Sequence, residues 1–376
     1  MRIFIASGIF HPEPGGPATY LHHLLPELQA RGHSISALAF GDAPTDGYPY
    51  LLTRIPRSNY LIRQRAYRRA AATLWPGHDL AFVHSIGLPL PDSIHPQIGK
   101  IVGDKAWERA VNRGWVPPTT DVDQFQVERQ TPQGELSKML RTKQVKRFDH
   151  IIVPSQYLKR MVSGWGIDPE RISAIYNAPP TAIECPAESQ SEARRKLSLP
   201  DAPLLLTVAR LTSWKGIDHI MQALAELPDI HLLVAGDGPD RDRLEGLRVS
   251  LGLEDRITFL GRVDRAVMPL YYRAADYTVL YSGYEGLSHV LLESLEIGTP
   301  VIASDKGGNP EVVEHDRNGL LVPYVDTGAL RDVCRMAFEG DTHRRLAANT
   351  SVGLARFKWP TLVAQTIDIL ERFANP

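Results

Sequence analysis

Apolar and polar positions alternate in blocks along the whole chain. RIFIASG is a short, almost wholly apolar run, and a Gly-Pro turn separates it from TYLHHLLPELQARG. In that second stretch Leu21, Leu24, Leu25 and Leu28 recur at helical spacing and Gly32 supplies a stop. SISALAF, DLAFVHS, GKIVGD and HIIVPS follow as buried-strand candidates. PLLLTVARL, IHLLVAG, RITFLG, DYTVLYS and TPVIAS repeat the style in the second half, each followed by a helical pattern. Strands alternating with helices predict parallel sheets covered on both faces. One sheet holding all these strands would exceed the usual size, so the fold class is α/β with two doubly wound domains. Periodicity lapses over 177–197, NAPPTAIECPAESQSEARRKL, which is rich in proline, alanine and small polar residues. The expected boundaries are a first domain over 1–177, a linker over 178–195, a second domain over 196–357 and a final helical segment over 358–376.

Composition narrows the function classes. A chain of 376 residues fits two average domains. Its formal net charge of −1 gives no global attraction to nucleic acid or membrane. The two cysteines, Cys185 and Cys334, make no disulfide framework and have no metal-type neighbours, which points to a reducing cytoplasm. No apolar run approaches the ~18 residues that cross a bilayer. MRIFIASGIFHPEPGG reads as a first strand and turn rather than a signal peptide.

The chemistry concentrates in YEGLSHVLLES, residues 284–294, where Glu285 and Glu293 stand eight positions apart. DYTVLYS is a strand, Gly283-Tyr284-Glu285-Gly286 a loop, Ser288 a helix N-cap, and Gly298 with Pro300 a stop. In a parallel sheet this loop lies at the carboxyl end of the strands, the usual ligand edge. The helix end, with Gly286, Leu287 and Ser288, offers unpaired N–H groups and a partial positive charge that suit phosphate. Glu293 lies roughly 7–8 Å further along the helix, placed for the ribose hydroxyls of a nucleoside diphosphate. Glu285, in the loop, is placed for the hydroxyls of a sugar on its outer phosphate. Taken singly, either acid reads as an ordinary surface carboxylate.

Arg210 and Lys215 in LTVARLTSWKG follow a buried strand, where two fixed cations can neutralise a leaving diphosphate without a metal. Gly236 and Gly238 in VAGDGPDRDRLE form a glycine turn compatible with any nucleotide fold. The triplets Asp121-Val122-Asp123 and Asp240-Arg241-Asp242 could suggest a metal site, but such patterns are frequent by chance and both read as structural. Residues 54–69, RIPRSNYLIRQRAYRR, carry six arginines and no acid. They form either a solvated face or loop, or a patch facing anionic lipid at the inner face of the membrane or a lipid-diphosphate acceptor. No nucleic-acid readout motif accompanies them.

YEGLSHVLLESLEIGTPVIASDKGGNPEVV resembles the donor-site signature of the retaining GT-B glycosyltransferases of family 4, the glycosyl transferases group 1. The shared marks are two glutamates with seven residues between them, a G-T-P strand entry and a G-G-x-P-E turn. One departure is Tyr281, where a Pro-Ser pair is usual before the loop and only Ser282 matches. The resemblance implies two Rossmann-like domains with an interdomain cleft, the second binding the donor and the first the acceptor. The final helix, WPTLVAQTIDILERF, would cross back to the first domain.

The implied reaction moves a hexosyl group, with retention, from a UDP-, GDP- or ADP-sugar to a hydroxyl of a glycan, lipid-linked glycan or small molecule, without cofactor or metal. The resemblance assigns Glu285 to the sugar, Glu293 to the ribose, Arg210 and Lys215 to the diphosphate, and Gly236 and Gly238 to the nucleotide. It also assigns the backbone of FLGRV, with Arg262 and Val263, to the base, and Gly15 and Gly16 to the donor phosphates. KIVGDKAWE departs from the pattern: relatives place His-Asp or His-Gly after this strand, whereas Gly103-Asp104 stands here and leaves Asp104 as an acceptor-side candidate. A dinucleotide dehydrogenase is excluded, because HPEPGGPATY lacks the G-x-G-x-x-G spacing. A nucleotide-sugar epimerase and a non-catalytic sugar-nucleotide-binding protein share the architecture and remain the alternatives.

Overall fold

The computed structural model describes residues 1–13, 15–117, 119–179 and 183–374. The chain forms two compact units. The first comprises Met1–Val116, Phe125–Tyr176 and Trp359–Pro376; the second comprises Pro117–Gln124 and Asn177–Lys358. Residues 117–124 thus pack with the second unit, although the sequence reading gives all of 1–177 to the first domain.

The first unit holds strands β1 (Arg2–Ser7), β2 (Ser34–Phe40), β3 (Leu51–Ile55), β4 (Leu80–His84), β5 (Gln97–Lys100), β6 (His150–Val153) and β7 (Ile172–Ala174). They form one parallel sheet in the order β3-β2-β1-β4-β5-β6-β7. Helices in this part of the chain are α1 (Gly16–Ala30), α2 (Tyr60–Leu74), α3 (Lys105–Asn112), α4 (Val122–Val127), α5 (Pro132–Val145) and α6 (Gln156–Gly164). β1 buries every residue but its first, as a strand covered on both faces requires. α1 begins on Gly16-Pro17, where proline's missing N–H is no loss, and buries Ala18, Leu21, Leu24, Leu25 and Leu28 along one stripe.

The second unit holds β8 (Leu204–Val208), β9 (His231–Ala235), β10 (Ile257–Gly261), β11 (Tyr277–Leu280), β12 (Val301–Ser304) and β13 (Gly319–Val322). The parallel order is β10-β9-β8-β11-β12-β13. Its helices are α7 (Gln190–Lys196), α8 (Ile217–Ala225), α9 (Arg241–Ser250), α10 (Met268–Ala274), α11 (His289–Ile297), α12 (Thr327–Ala337) and α13 (Thr342–Ala347). α7 lies largely inside the stretch expected as linker; a capping box between Ser189 and Glu192 starts it. Consecutive residues of β8 serve opposite faces: Leu205 joins a core with Ile220, Leu224 and Val279, while Leu204 and Leu206 join one with Tyr272 and Ile297. The last helix, α14 (Trp359–Ala374), belongs to the first unit.

β3, β7 and β13 were not legible as strands; all three are short and lie at sheet edges. In both sheets the strand order reverses beside the first strand, between β1 and β4 and between β8 and β11. Loops leaving the carboxyl ends at such a reversal frame the crevice where open α/β sheets bind ligands.

Candidate active site

In the second unit, the loop after β8 and the loop after β11 meet at the strand reversal. Lys215 Nζ donates to Glu285 Oε1 across 2.5 Å, and both side chains are largely buried. The backbones are tied as well, because Gly283 N donates to Trp214 O at 2.8 Å. Gly216 has φ +62°, and a Cβ there would lie 2.1 Å from Tyr281 O, so only glycine permits this approach. Arg210 is exposed and has no ion-pair partner among the described residues.

Tyr281, the departure from the family pattern, is fully buried. Its hydroxyl donates to Pro323 O at 2.6 Å and accepts from Asp326 N at 3.0 Å, which anchors the end of β11.

α11 starts as its sequence predicts. Ser288 caps it by accepting from Leu291 N, and Gly298 ends it at φ +92°. Leu287 and Ser288 are buried, so the helix entry is fixed by packing. Glu293 accepts a hydrogen bond from Tyr272 Oη at 3.0 Å. Burial raises the Glu293 pKa above the ordinary carboxylate value, while the Tyr272 hydroxyl and the charge of Arg265 pull it down. Tyr272 sits 21 residues earlier on α10. Its sequence neighbourhood, MPLYYRA, reads only as an apolar helix, so no signal pointed to it.

The glycines have packing causes. A Cβ on Gly307 would lie 2.3 Å from Glu285 O, and one on Gly308 would lie 2.5 Å from Gly286 O. The turn after β12 therefore presses its bare backbone on the loop that carries Glu285, and Gly308 N donates to Glu285 O at 2.8 Å. Likewise, a Cβ on Gly236 would meet Ala209 O at 1.9 Å, and one on Gly238 would meet Leu211 O at 2.3 Å. These two glycines hold the turn after β9 against the loop that carries Arg210. Arg262 is exposed and pairs with Asp237 at 3.5 Å. Val263 packs on the cluster around Tyr272.

Asp121 accepts from the backbone N–H groups of Asp123 and Gln124 and pairs with Lys306 at 2.9 Å. Asp240 pairs with Arg243 at 2.8 Å. Among the described residues no group of three or more His, Cys, Asp or Glu side chains is placed to hold a metal.

Gly15, Gly16 and Asp104 belong to the first unit. Gly15 is the N-cap of α1, and open space surrounds Gly16 at the helix start. Asp104 corrects the sequence reading. It is 0% exposed, caps α3 by accepting from Ala106 N at 2.8 Å, and accepts from Arg141 at 2.6 Å and Gln126 at 2.9 Å. Both carboxylate oxygens are engaged in this buried network, so Asp104 is a structural anchor and not a group presented to an acceptor.

The sequence model of the glycosyl transferases group 1 matches residues 189–351, and that of the glycosyl transferase 4-like domain matches residues 15–178. The chain belongs to the group 1 glycosyl transferases. A D-inositol 3-phosphate glycosyltransferase of Xylanimonas cellulosilytica is 34% identical to this group 1 chain over 224 residues, 56% of this chain and 53% of the relative. An uncharacterized glycosyltransferase of Methanocaldococcus jannaschii is 30% identical over 229 residues, 58% of this chain and 59% of the relative. The chain thus spans somewhat more than half the length of these curated relatives.

Among solved structures, sucrose-phosphate synthase from Thermosynechococcus elongatus superposes with a TM-score of 0.82 at 24% identity, covering 99% of this chain and 98% of that one. Anabaena HepE in complex with UDP-glucose gives a TM-score of 0.74 at 20% identity, covering 99% and 100%. The chain has the GT-B fold, two parallel sheets of seven and six strands with interleaved helices.

Proposed function

We propose that the protein transfers a hexosyl group from a nucleotide-diphospho-sugar to an acceptor hydroxyl, with retention at the anomeric carbon. The observation that carries this reading is the Lys215–Glu285 pair at the strand reversal, beside the capped start of α11 and with Glu293 further along the same helix. An ammonium has three donors and Glu285 takes one, which leaves donors for a diphosphate. Arg210, exposed and without an ion-pair partner among the described residues, adds a second cation on the same loop. The backbone N–H groups at the start of α11 supply further donors for phosphate oxygens. Tyr272 holds one oxygen of Glu293, and the other has no donor among the described residues, as a ribose hydroxyl would need.

In this reading the bond from C1 to the diphosphate oxygen breaks while the acceptor oxygen bonds to C1 on the same face. The acceptor proton passes to the departing phosphate. Lys215 and Arg210 stabilise the charge that grows on that phosphate, the kind of fixed electrostatic aid that counts most in a transition state. Glu285 orients the sugar. The donor class is supported by the structural neighbours that hold UDP and UDP-glucose.

The first unit is the place for the acceptor, and the open space around Gly16 leaves backbone room at the start of α1. Both cysteines are free, Cys185 exposed and Cys334 buried, which fits a reducing cytoplasm. No described helix is long and apolar enough to cross a membrane.

The test is a screen of UDP-, GDP- and ADP-sugars for binding and for transfer, with the anomeric configuration of the product read by NMR. Inversion would overturn the stereochemical part. Failure of every donor to bind would overturn the whole.

A further inference from the structure

Tyr281 stands where the family pattern has proline, and a proline has no hydroxyl. Here the hydroxyl serves one loop twice, donating to Pro323 O at 2.6 Å and accepting from Asp326 N at 3.0 Å. The loop between β13 and α12 is thereby tied to the strand that leads into Glu285. Asp326 also caps α12 by accepting from Ala329 N at 2.8 Å, and Asp305 accepts from Tyr324 N at 3.2 Å.

Between these ties Val325 has φ +67°, a left-handed backbone that β-branched residues rarely adopt. Its side chain is 57% exposed, so packing is not what holds it there. Such a conformation lasts only where the surrounding structure imposes it. The outcome is the seat of Tyr324, whose ring lies so near Gly283 that a Cβ there would be 2.6 Å from it. The Tyr281 and Tyr324 rings are 5.3 Å apart, and His219 on α8 meets both edge-to-face at 5.9 and 6.1 Å.

Gly283 precedes Glu285 by two residues, and its N–H donates to the carbonyl of Trp214, the neighbour of Lys215. The Tyr324 ring therefore bears on the point where the two loops of the Lys215–Glu285 pair join. Tyr281 and Tyr324 pack with the core on one face of the sheet, whereas Tyr272, the partner of Glu293, packs with the core on the other.

We infer that Tyr281 and Tyr324 are positioning residues of the transfer, holding Glu285 on Lys215 in the geometry that orients the donor sugar, without a part in gripping the nucleotide. The inference rests on the transferase reading above.

The test compares Tyr281→Phe with Tyr277→Phe in the full chain. Tyr277 is on the same strand, and its buried hydroxyl donates to Ala337 O at 2.6 Å. Each variant keeps its ring and loses one buried hydroxyl, so both should lower the urea midpoint. Calorimetry with UDP, GDP and ADP gives nucleotide affinity. Steady-state turnover of the donor sugar selected by the screen above gives kcat and KM. Tyr281→Phe should lower kcat about tenfold or more, the scale of a small misplacement of reacting groups, with diphosphate affinity within about twofold. Tyr277→Phe should leave kcat within about twofold. Tyr324→Phe keeps the ring on Gly283 and should stay within about threefold, whereas Tyr324→Ala should lose at least as much as Tyr281→Phe.

Equal kcat losses in Tyr277→Phe and Tyr281→Phe would reduce the effect to stability and overturn the assignment. An unchanged rate in Tyr281→Phe, or a fall in its diphosphate affinity to match the fall in kcat, would overturn it as well. A wild-type chain that turns over no donor overturns the transferase reading and this role together. Wild-type turnover without a deficit in Tyr281→Phe overturns this role alone.

Discussion

Tyr272 on α10 donates its hydroxyl to Glu293 on α11 across 3.0 Å. The bond fixes one oxygen of a carboxylate that burial would otherwise push toward its neutral form. Tyr272→Phe should therefore weaken nucleoside-diphosphate binding by roughly 0.5–1.5 kcal/mol, and Glu293→Ala by about 1–3 kcal/mol. Calorimetric titration with UDP, GDP and ADP measures both. Unchanged affinity in a folded Glu293→Ala protein would remove the ribose role.

The Lys215–Glu285 pair predicts an asymmetry. Lys215→Ala should lower kcat about 10²–10³-fold, the scale of a lost oxyanion donor. Glu285→Gln keeps the cation in the loop and should change the choice of donor sugar more than the affinity for the bare nucleotide. Steady-state kinetics with two donor sugars reads both effects. A full-rate Lys215→Ala enzyme would disprove leaving-group stabilisation by this residue.

Transfer should survive chelation. Arg210 and Lys215 both stand on the loop after β8, where the proposed reaction puts the diphosphate, so EDTA is expected to leave the rate within about twofold. Complete loss with recovery on adding Mn²⁺ would show that the reaction depends on an ion.

Asp104 calls for a stability measurement. Its pair with Arg141 is buried on both sides. Asp104→Asn leaves that guanidinium uncompensated and should cost up to about 3–5 kcal/mol, seen as a lower urea midpoint. The rate per folded molecule should hardly move. A large rate loss at wild-type stability would return Asp104 to the chemistry.

Lys100 gives a pH signature. Its ammonium lies 3.7 Å above the Tyr20 ring, with Nζ buried and unpartnered, and burial pushes its pKa down to about 7 from 10.5. The folded value is below the unfolded one, so between pH 7 and 10.5 the unfolded chain holds more protons and stability rises with pH. Below pH 7 both states are charged and the burial cost is fully present. Lys100→Met should thus raise Tm clearly at pH 6 and much less at pH 10. An equal gain at both values would mean that Lys100 does not titrate in this window.

Much of the fold was legible because fully buried parallel strands are nearly continuous apolar runs. β1, β8 and β11 stand out of the sequence for that reason. Edge strands such as β3 are only partly buried, so their sequences carry weaker signals. Within the candidate site, Ser288 and Gly298 were readable because caps are local chemistry.

The contact between Lys215 and Glu285 spans 70 residues, and nothing local announces it. Gly307 and Gly308 were visible as a turn, but their cause, the backbone of residues 285 and 286, lies on another loop. Asp104 was misread because a family position was compared without its neighbours: Gln126 and Arg141, which consume its oxygens, come from later helices.

The order of segments along the chain bears on biosynthesis. The first unit is assembled from three stretches, and residues 177–358 of the second lie between its middle and last pieces. On the ribosome, the unit begun first is therefore completed last. α14 brings Leu362, Val363, Ile367 and Leu370 as buried side chains, and its Thr366 meets the Tyr20 hydroxyl at 3.3 Å. Until that helix emerges, the surface it will cover faces water, and the nascent chain carries a nearly finished second unit beside an open first one. The interval in which a chaperone has something to hold is thus set by the translation time of the second unit.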